Sequence, residues 1–405
     1  MINKYNWIFF CYNAKQTFIQ RALAERLAEM EPVVIIDRPV SVLRDRKILS
    51  LKVRHNCLPG GEASYCYRPL HYPERLPGIG RILQIINRRL LQQELDQLLP
   101  RNGSRLVCFD SPTQDHLVKK LGEDLSIYLA NDDKTLTVWG DSIPGELEAE
   151  KRLLSKVDKV ICVSEILANT LRSRKSAEKL LPIHVLPNGY DERIFDPNGD
   201  YIEPSFLANI PRPRILVAGH ISERIDWNGI IEASKLRQNW NWIFIGFADP
   251  GMKERITSTL GAHGFYHSPI SIQDVPAWIQ HCDVCAVPYR LNPFTRASNP
   301  LKAIEYLAMG APVLSTRVPA LQRFDGVIEW VEVGNGQSYT NALDKLIQEG
   351  NDFHLKSFRK KAVAGETWQA KTEQFRRMVI DTPLTGNSQQ PVLTSEKSER
   401  IKKVY

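Results

Sequence analysis

The feature that most constrains the fold is a regular alternation of short apolar runs with segments of helical spacing. In the first half of the chain the apolar runs are WIFFCYN, EPVVIIDRP, SRLVCFDSP, LSIYLANDD and KVICVSEIL. Between them lie helical patterns such as FIQRALAERLAEM, in which Ala22, Leu23, Leu27 and Met30 fall on one side. Strands that alternate with helices form parallel βαβ units with right-handed crossovers. The pattern therefore predicts a doubly wound α/β domain.

The same alternation restarts after Pro204 and predicts a second domain of the same kind. Its apolar runs are PRPRILVAGHI, NWIFIGF, CDVCAVPY and APVLST. A linker is expected in PNGYDERIFDPNGDYIEPS, which is dense in Pro, Gly, Asn and Asp. We predict a first domain over 1–195, a second over 205–360, a helix over 361–382 and a disordered polar tail over 383–405. Two such domains form a cleft between the carboxyl ends of their strands, where ligands of these folds bind.

Composition excludes several classes of protein. The chain has 405 residues, too many for one ordinary core. No apolar run reaches the roughly 18 residues that a membrane-spanning helix needs, and the N-terminal apolar patch is typical of a first strand rather than a signal peptide. The seven cysteines lack framework spacing, and Cys282 and Cys285 form a lone CxxC without further metal ligands nearby. We expect a cytoplasmic protein with reduced, buried thiols and no bound metal.

The positive charge is concentrated near the N-terminus. Residues 1–110 hold 17 Lys and Arg against 10 Asp and Glu, an excess as large as the formal charge of +7 on the whole chain. No nucleic-acid motif accompanies it, so we expect no nucleic-acid partner. An anionic membrane face fits better, with a solvated basic surface as the alternative. In YPERLPGIGRILQIINRRLLQQELDQLL, isoleucines and leucines alternate with arginines, which is typical of a helix that docks on a membrane or of one that faces the core.

The stretch SNPLKAIEYLAMGAPVLST raises the question of what Lys302 and Glu305 do at the start of a helix. A capped helix with an i,i+3 ion pair is one interpretation, worth a few tenths of a kcal/mol. A site for a phosphorylated ligand is another, because the first turn of a helix offers free N–H groups and a positive dipole end. The pattern alone leaves both open.

Five segments occur in the order found in GT-B glycosyltransferases. They are LSKVDKVICVSEILANTLRS, IHVLPNGYDERIFDP, ILVAGHISERIDW, VPAWIQHCDVCAVPYR and SNPLKAIEYLAMGAPVLST. The chain resembles family-4-type enzymes, especially the bacterial teichuronic-acid-type and exopolysaccharide branch. The resemblance implies a GT-B fold of two Rossmann-like domains facing across a cleft. It also implies that the second domain binds a nucleotide-sugar, UDP- or GDP-linked, that the first binds the acceptor, and that a last helix near Trp368 crosses back.

The resemblance assigns the candidate site residues. Lys302 and Arg224 would hold the donor diphosphate and stabilise charge on it as it leaves, and Glu305 would accept hydrogen bonds from the ribose hydroxyls. Arg224 has an alternative partner in Asp226. The full set of donor contacts is Gly219, Arg224, Tyr289, Arg296, Ser298, Asn299, Lys302 and Glu305. Ser298 and Asn299 would also cap the helix.

The acceptor side rests on two aspartates at the end of a strand. Asp132 and Asp133 in YLANDDK could deprotonate the acceptor hydroxyl in an inverting reaction or bind the acceptor in a retaining one. A strand-end turn is the alternative. Retaining family-4 enzymes have two glutamates with seven residues between them, and counting back from Glu305 puts the first at Ala297, beside Arg296. Retention is therefore in doubt, and Arg296 could pair with an anionic sugar or phosphate.

The sequence thus predicts a metal-independent glycosyltransferase that transfers a hexose or uronic acid to a saccharide or lipid-linked saccharide during cell-surface polysaccharide synthesis. Contact with the inner face of a membrane is left open. The rivals are a catalytically inactive GT-B scaffold, which the alanine at 297 favours, and a sugar-nucleotide epimerase of similar fold.

Overall fold

The computed structural model describes residues 5–11, 18–37, 40–41, 53–55, 65–68, 70–71, 78–99, 102–176, 180–350 and 352–381. The predicted tail over 383–405 lies outside these residues. Within them the strands are β1 Tyr5–Cys11, β2 Val33–Asp37, β3 Val40–Ser41, β4 Val53–His55, β5 Tyr65–Arg68, β6 Leu70–His71, β7 Ser104–Phe109, β8 Leu125–Ala130, β9 Lys159–Cys162, β10 Ile183–Val185, β11 Arg214–Ala218, β12 Asn241–Ile245, β13 Gly264–His267, β14 Val284–Val287, β15 Val313–Thr316 and β16 Ile328–Val331.

Helices connect these strands in the alternation that the sequence predicts. They are α1 Phe18–Leu27, α2 Gly80–Leu98, α3 Glu146–Lys156, α4 Glu165–Arg174, α5 Ser205–Ala208, α6 Trp227–Leu236, α7 Met252–Leu260, α8 Val275–Gln280, α9 Pro293–Ala297, α10 Leu301–Ala308, α11 Gly336–Glu349, α12 Phe353–Ala362 and α13 Trp368–Ile380. None of the helices in the described ranges is both long and apolar enough to cross a bilayer.

The first sheet has the strand order β10-β9-β8-β7-β1-β2-β5-β4. Every neighbouring pair is parallel except β4 with β5. The central strands β1 and β7 are apolar on both faces because helices cover both sides of a parallel sheet. This sheet is therefore the first of the two predicted doubly wound domains.

The second sheet has the order β13-β12-β11-β14-β15-β16, and all of its pairs are parallel. Its strand order reverses between β11 and β14, because β12 and β13 extend one way and β15 and β16 the other. Such a switch point opens a crevice at the carboxyl ends of the strands, where ligands bind in folds of this class. The prediction of two doubly wound domains is confirmed.

The chain returns to the first domain at its end. Trp368, Phe375 and Val379 of α13 are buried in the same core as β1 and α1. The ammonium of Lys159 on β9 donates to the carbonyl oxygens of Met378 at 3.2 Å and Val379 at 2.5 Å, so it satisfies the last turn of α13. The last helix thus joins the second domain to the first.

Two smaller expectations have different outcomes. Met30 was expected on the buried side of α1, but the helix ends at Leu27 and Met30 lies in the turn that follows, 52% exposed. Cys282 and Cys285 are free and buried, and burial raises the pKa of Cys282 to about 12. A thiol so rarely ionised is a poor metal ligand or redox group, so an ordinary buried strand explains this CxxC.

Candidate active site

Two glycines bring the ends of β11 and β12 close together at the switch point. Gly219 follows β11 with a φ of +130°, and Gly246 follows β12 with a φ of +134°. A Cβ atom on Gly246 would lie 1.8 Å from the carbonyl oxygen of Gly219, which no side chain allows. Glycine at 246 is therefore required by the close contact of the two strand ends, whereas a Cβ on predicted donor residue Gly219 would meet only Arg224 within 4 Å, so its backbone can be approached from the side of Arg224.

Arg224 lies beside this opening. Its Nη2 would be 3.6 Å from a Cβ on Gly219, and its guanidinium carbon is 4.8 Å from the centroid of the Tyr289 ring. The alternative ion pair with Asp226 is wrong. Asp226 instead caps α6 through the N–H of Gly229 and accepts a hydrogen bond from the Tyr339 hydroxyl at 3.0 Å. Arg224 forms no ion pair with a described carboxylate, so its charge is available to an anionic ligand.

Lys302 and Glu305 form the ion pair that one interpretation of the sequence predicted. The Lys302 ammonium lies 2.6 Å from Oε2 of Glu305, whose side chain is almost fully buried. Burial raises the pKa of Glu305, although the neighbouring ammonium of Lys302 lowers it in part. The other carboxylate oxygen, Oε1, accepts no hydrogen bond within the described part of the chain. The pair therefore keeps one acceptor and two ammonium hydrogens for a ligand.

The expected cap of α10 is wrong. Pro300 occupies the N-cap position and provides no side-chain hydrogen bond to the helix. Ser298 instead ends α9 and donates to the carbonyl of Thr295 at 2.7 Å. Asn299 donates across the domains to the carbonyl of Val163 at 3.2 Å. The first turn of α10 thus keeps its N–H groups without a side-chain cap, as an anion site would require.

The segment before α10 joins the two domains. Asn188 donates its side-chain amide to the carbonyl of Asn299 at 2.6 Å, and Ser164 donates to the carbonyl of Ala297 at 2.5 Å. Ala297 is buried in the core of the first domain. A glutamate at this position could not reach the cleft without displacing that core, so the departure from the two-glutamate pattern has a structural counterpart. Gly189, after Asn188, lies against the returning chain at the interdomain seam.

Asp132 lies just after β8, at the carboxyl edge of the first sheet. It is half-buried, and burial raises the pKa of its carboxyl, while the charges of Lys134 and Arg224 lower it in part. The side-chain amide of Asn292, just before α9, donates to the carbonyl of Val138 in the loop after β8 at 2.9 Å, so this loop lies next to the second domain. No described residue donates a hydrogen bond to Asp132, so its carboxylate is free to accept a proton.

Asp133 has a different environment from its neighbour. Arg174 donates to both of its carboxylate oxygens, at 2.9 and 2.8 Å, and Thr135 donates through its backbone and its hydroxyl. Burial would raise the pKa of Asp133, but these hydrogen bonds hold it below its ordinary value. Arg174 also donates a hydrogen bond to the buried carboxylate of Glu150 at 2.6 Å, and the Tyr128 hydroxyl donates to the Glu150 carboxylate at 3.0 Å. Asp133 is also only 3% exposed, so its carboxylate serves these internal partners rather than a substrate.

Sequence reasoning missed Arg174 and Glu150. Glu150 carried a signal, since it precedes the apolar Leu153 and Leu154 by three and four residues and so lies on the core face of α3. A carboxylate on a core face needs a cationic partner. Nothing in the sequence near Arg174 indicated that it was this partner.

Arg296 lines a pocket at the carboxyl ends of β15 and β16. The pocket has a volume of about 590 Å³ and is lined by Leu291, Arg296, Arg317, Trp330, Val331, Glu332, Val333 and Ser338. Arg317 lies over the Trp330 ring at 5.3 Å. His220, the residue after Gly219, is hydrogen-bonded to Asp249 at 2.6 Å.

Comparison with known proteins agrees with this architecture. Residues 212–349 match the family model described as "Glycosyl transferases group 1". In overall structure the chain is similar to sucrose-phosphate synthase from Thermosynechococcus elongatus, with a TM-score of 0.69, 16% identity, and coverage of 93% of this chain and 98% of the other. It is also similar to the trehalose-6-phosphate synthase OtsA, with a TM-score of 0.70, 10% identity and coverage of 93% and 99%. At these identities the structures show the GT-B fold.

Residues 212–349 thus form a glycosyltransferase group 1 domain within a chain of GT-B fold. Among curated proteins it is similar to TuaH of Bacillus subtilis, described as a putative teichuronic acid biosynthesis glycosyltransferase. The two are 24% identical over 321 residues, which cover 74% of this chain and 78% of TuaH. The resemblance drawn from the five sequence segments is confirmed.

Proposed function

We propose that the enzyme transfers a sugar from a nucleoside-diphosphate donor, held at the start of α10, to an acceptor hydroxyl beside Asp132. The observation that carries this proposal is the position of Arg224. Its guanidinium forms no ion pair with a described residue, lies at the switch point of the second sheet, and acts electrostatically on Asp132 of the first. In this arrangement the cation of Arg224 would stabilise the leaving diphosphate, and the carboxylate of Asp132 would take the proton of the attacking hydroxyl.

The donor side follows from the uncapped first turn of α10. Its N–H groups and the Lys302 ammonium point to diphosphate oxygens, and Arg224 adds a second cation from the other side of the switch point. Charge grows on the diphosphate as the sugar leaves, so these groups stabilise the transition state more than the ground state. Oε1 of Glu305 accepts from the ribose hydroxyls, while Oε2 stays bound to Lys302.

The acceptor side assigns the two aspartates to different tasks. Asp132 is the proton acceptor for the attacking hydroxyl, because its carboxylate is unbonded and its raised pKa moves it toward the range of a general base. Asp133 is a positioning residue, since its contacts to Arg174 and Thr135 fix the loop that carries Asp132. In this scheme no metal ion takes part.

The name of TuaH supports a role in cell-surface polysaccharide synthesis, with a hexose or a uronic acid as the transferred sugar and a saccharide or lipid-linked saccharide as the acceptor. A uronic acid donor would place its carboxylate near cationic Arg296. The competing function is that of a catalytically inactive scaffold. An assay of sugar transfer distinguishes the two, because only an enzyme turns over the donor.

Calorimetric titration with UDP and with GDP tests the donor site. Arg224→Gln removes a cation that makes no ion pair, so it leaves folding intact, and we expect at least tenfold weaker binding of the preferred nucleotide. Arg81→Gln is the matched control, because Arg81 is an exposed arginine that also forms no ion pair with a described residue, but it lies on α2 of the first domain. If Arg224→Gln binds both nucleotides as tightly as the wild type does, or if neither nucleotide binds the wild type, the donor site is elsewhere and the proposal fails.

A further inference from the structure

The outward face of α2 is an apolar surface that no described element covers. Ile79, Ile82, Ile85, Ile86 and Leu90 are between 37% and 58% exposed. Four of them, at positions 79, 82, 86 and 90, follow the three- and four-residue spacing of one helix face, and Ile85 lies next to them. The stripe is roughly 17 Å long at the rise of an α-helix.

The opposite face of α2 is the one that packs on the core of the first domain, so a second apolar face on the same helix is unusual. Leu91, Leu95 and Leu98 in the second half of α2 are buried against the first sheet, as in an ordinary amphipathic helix. The first half therefore carries a second apolar face, turned away from the core. Soluble proteins rarely expose a continuous apolar surface without a binding role.

The charge around the stripe points to its partner. Residues 78–93 contain Arg81, Arg88 and Arg89 and no aspartate or glutamate. None of the three arginines forms an ion pair with a described residue. In the second half of the helix, by contrast, Asp96 is paired with Arg105 at 2.7 Å. Apolar side chains bordered by unpaired cations fit the boundary between the acyl chains and the anionic headgroups of a bilayer.

A second copy of the chain fits this face less well. A symmetric dimer places the same patch on both partners, so the two sets of three arginines would face each other without acidic residues to offset them. Charge complementarity therefore favours an anionic lipid surface over self-association.

The position of the stripe connects it to the cleft. Along the chain α2 follows β5 and the short β6 and precedes β7. Because β5 and β7 run parallel to their neighbours β2 and β1, the helix starts at the carboxyl edge of the first sheet. Asp132 follows β8 at that same edge. The exposed stripe occupies the first three turns of α2, the end of the helix nearest the acceptor side.

We infer that the first half of α2 docks on an anionic lipid bilayer, so that the acceptor is a saccharide linked to a lipid in that bilayer. The identity of the acceptor rests on the function proposed above, whereas the docking does not. Apolar side chains enter the headgroup boundary, the arginines bind lipid phosphates, and the mouth of the cleft then faces the membrane surface.

Flotation of the nucleotide-free protein with vesicles tests the docking directly. We expect the full chain to float with phosphatidylcholine vesicles that contain phosphatidylglycerol, and to stay in solution with phosphatidylcholine alone. Ile82→Gln/Ile86→Gln should lower the partition coefficient at least tenfold, and Arg88→Gln/Arg89→Gln should remove the preference for the anionic lipid. Ile202→Gln/Leu236→Gln is the matched control, since both residues are exposed aliphatic side chains elsewhere on the chain.

The outcomes separate docking from its rivals. UDP or GDP titration of the α2 variants should match the wild type, so failure of the donor site and failure of docking are observed in different assays. The inference is wrong if the wild type ignores anionic vesicles, or if the α2 variants float as well as the control does. It is also wrong if sedimentation shows a dimer that Ile82→Gln/Ile86→Gln converts to a monomer, because the face would then be an interface between copies.

Discussion

Adjacent Asp132 and Asp133 should respond to the same substitution in opposite ways. In Asp133→Asn the paired hydrogen bonds from Arg174 lose their anionic acceptor in a buried site. Breaking a buried pair costs about 3–5 kcal/mol, and the lower end applies because Arg174 keeps its 2.6 Å contact with Glu150. At about 2–4 °C per kcal/mol, the unfolding midpoint of the first domain should fall by roughly 6–12 °C.

Asp132→Asn should leave that midpoint unchanged and abolish turnover. No described group donates to the Asp132 carboxylate, so the change in unfolding free energy should stay within about 0.5 kcal/mol. Loss of a general base should lower kcat by about 100- to 10,000-fold. Asp141→Asn, an exposed aspartate in the same region, is the control and should change neither quantity.

Differential scanning calorimetry and donor turnover measured on the same preparations provide the comparison. The pKa of Asp133 is held low in the folded chain, so its contribution to stability is present above its unfolded pKa and disappears as the pH falls through its folded pKa. The stability gap between the wild type and Asp133→Asn should therefore be complete at neutral pH and close in acid. The reasoning is refuted if Asp132→Asn retains wild-type kcat, or if Asp133→Asn unfolds at the wild-type temperature at neutral pH.

Three further predictions concern the donor site. Lys302→Met leaves Glu305 buried without its cation and should lower the unfolding free energy by about 3 kcal/mol at neutral pH. Because burial raises the pKa of Glu305, protonation in acid removes the unpaired charge. Chemical denaturation should therefore show a smaller loss of unfolding free energy at acid pH. Gly246→Ala places a Cβ against the Gly219 carbonyl and should weaken nucleotide binding in calorimetry at least tenfold, whereas unchanged affinity would show that the two strand ends do not form the site. Ser164→Ala removes both the hydrogen bond to the Ala297 carbonyl and the N-cap of α4, and it should lower the unfolding free energy by about 2 kcal/mol with nucleotide affinity unchanged. A lost affinity would mean that the contact with Ala297 shapes the donor site.

Local pattern explains why the architecture could be predicted. The runs WIFFC and ILVA are apolar at every position, as expected of strands that are covered on both faces, and segments of helical spacing separate such runs. The glycine after β11 could also be placed, because the turn that ends a strand at a phosphate site favours a residue without a side chain. Each of these signals lies within a few residues of the feature that it predicts.

The expectations that failed depended on neighbours that are distant in sequence. Ser298 and Asn299 have the composition of a helix cap, but their hydrogen bonds go to α9 and to the other domain. Asp226 lies close enough in sequence to pair with Arg224, yet its carboxylate caps α6 and binds a tyrosine of α11. In both cases a tertiary partner displaced the local one.

The sequence by itself determined the two doubly wound domains and the family resemblance, because the hydrophobic period and the order of the motifs can be read directly along the chain. Only the tertiary structure decided that Asp132 is unbonded while Asp133 is held by Arg174, and that the first half of α2 has an uncovered apolar face. Two adjacent aspartates have the same chemistry in sequence. Their environments differ because burial and hydrogen bonding are set by residues that folding brings together.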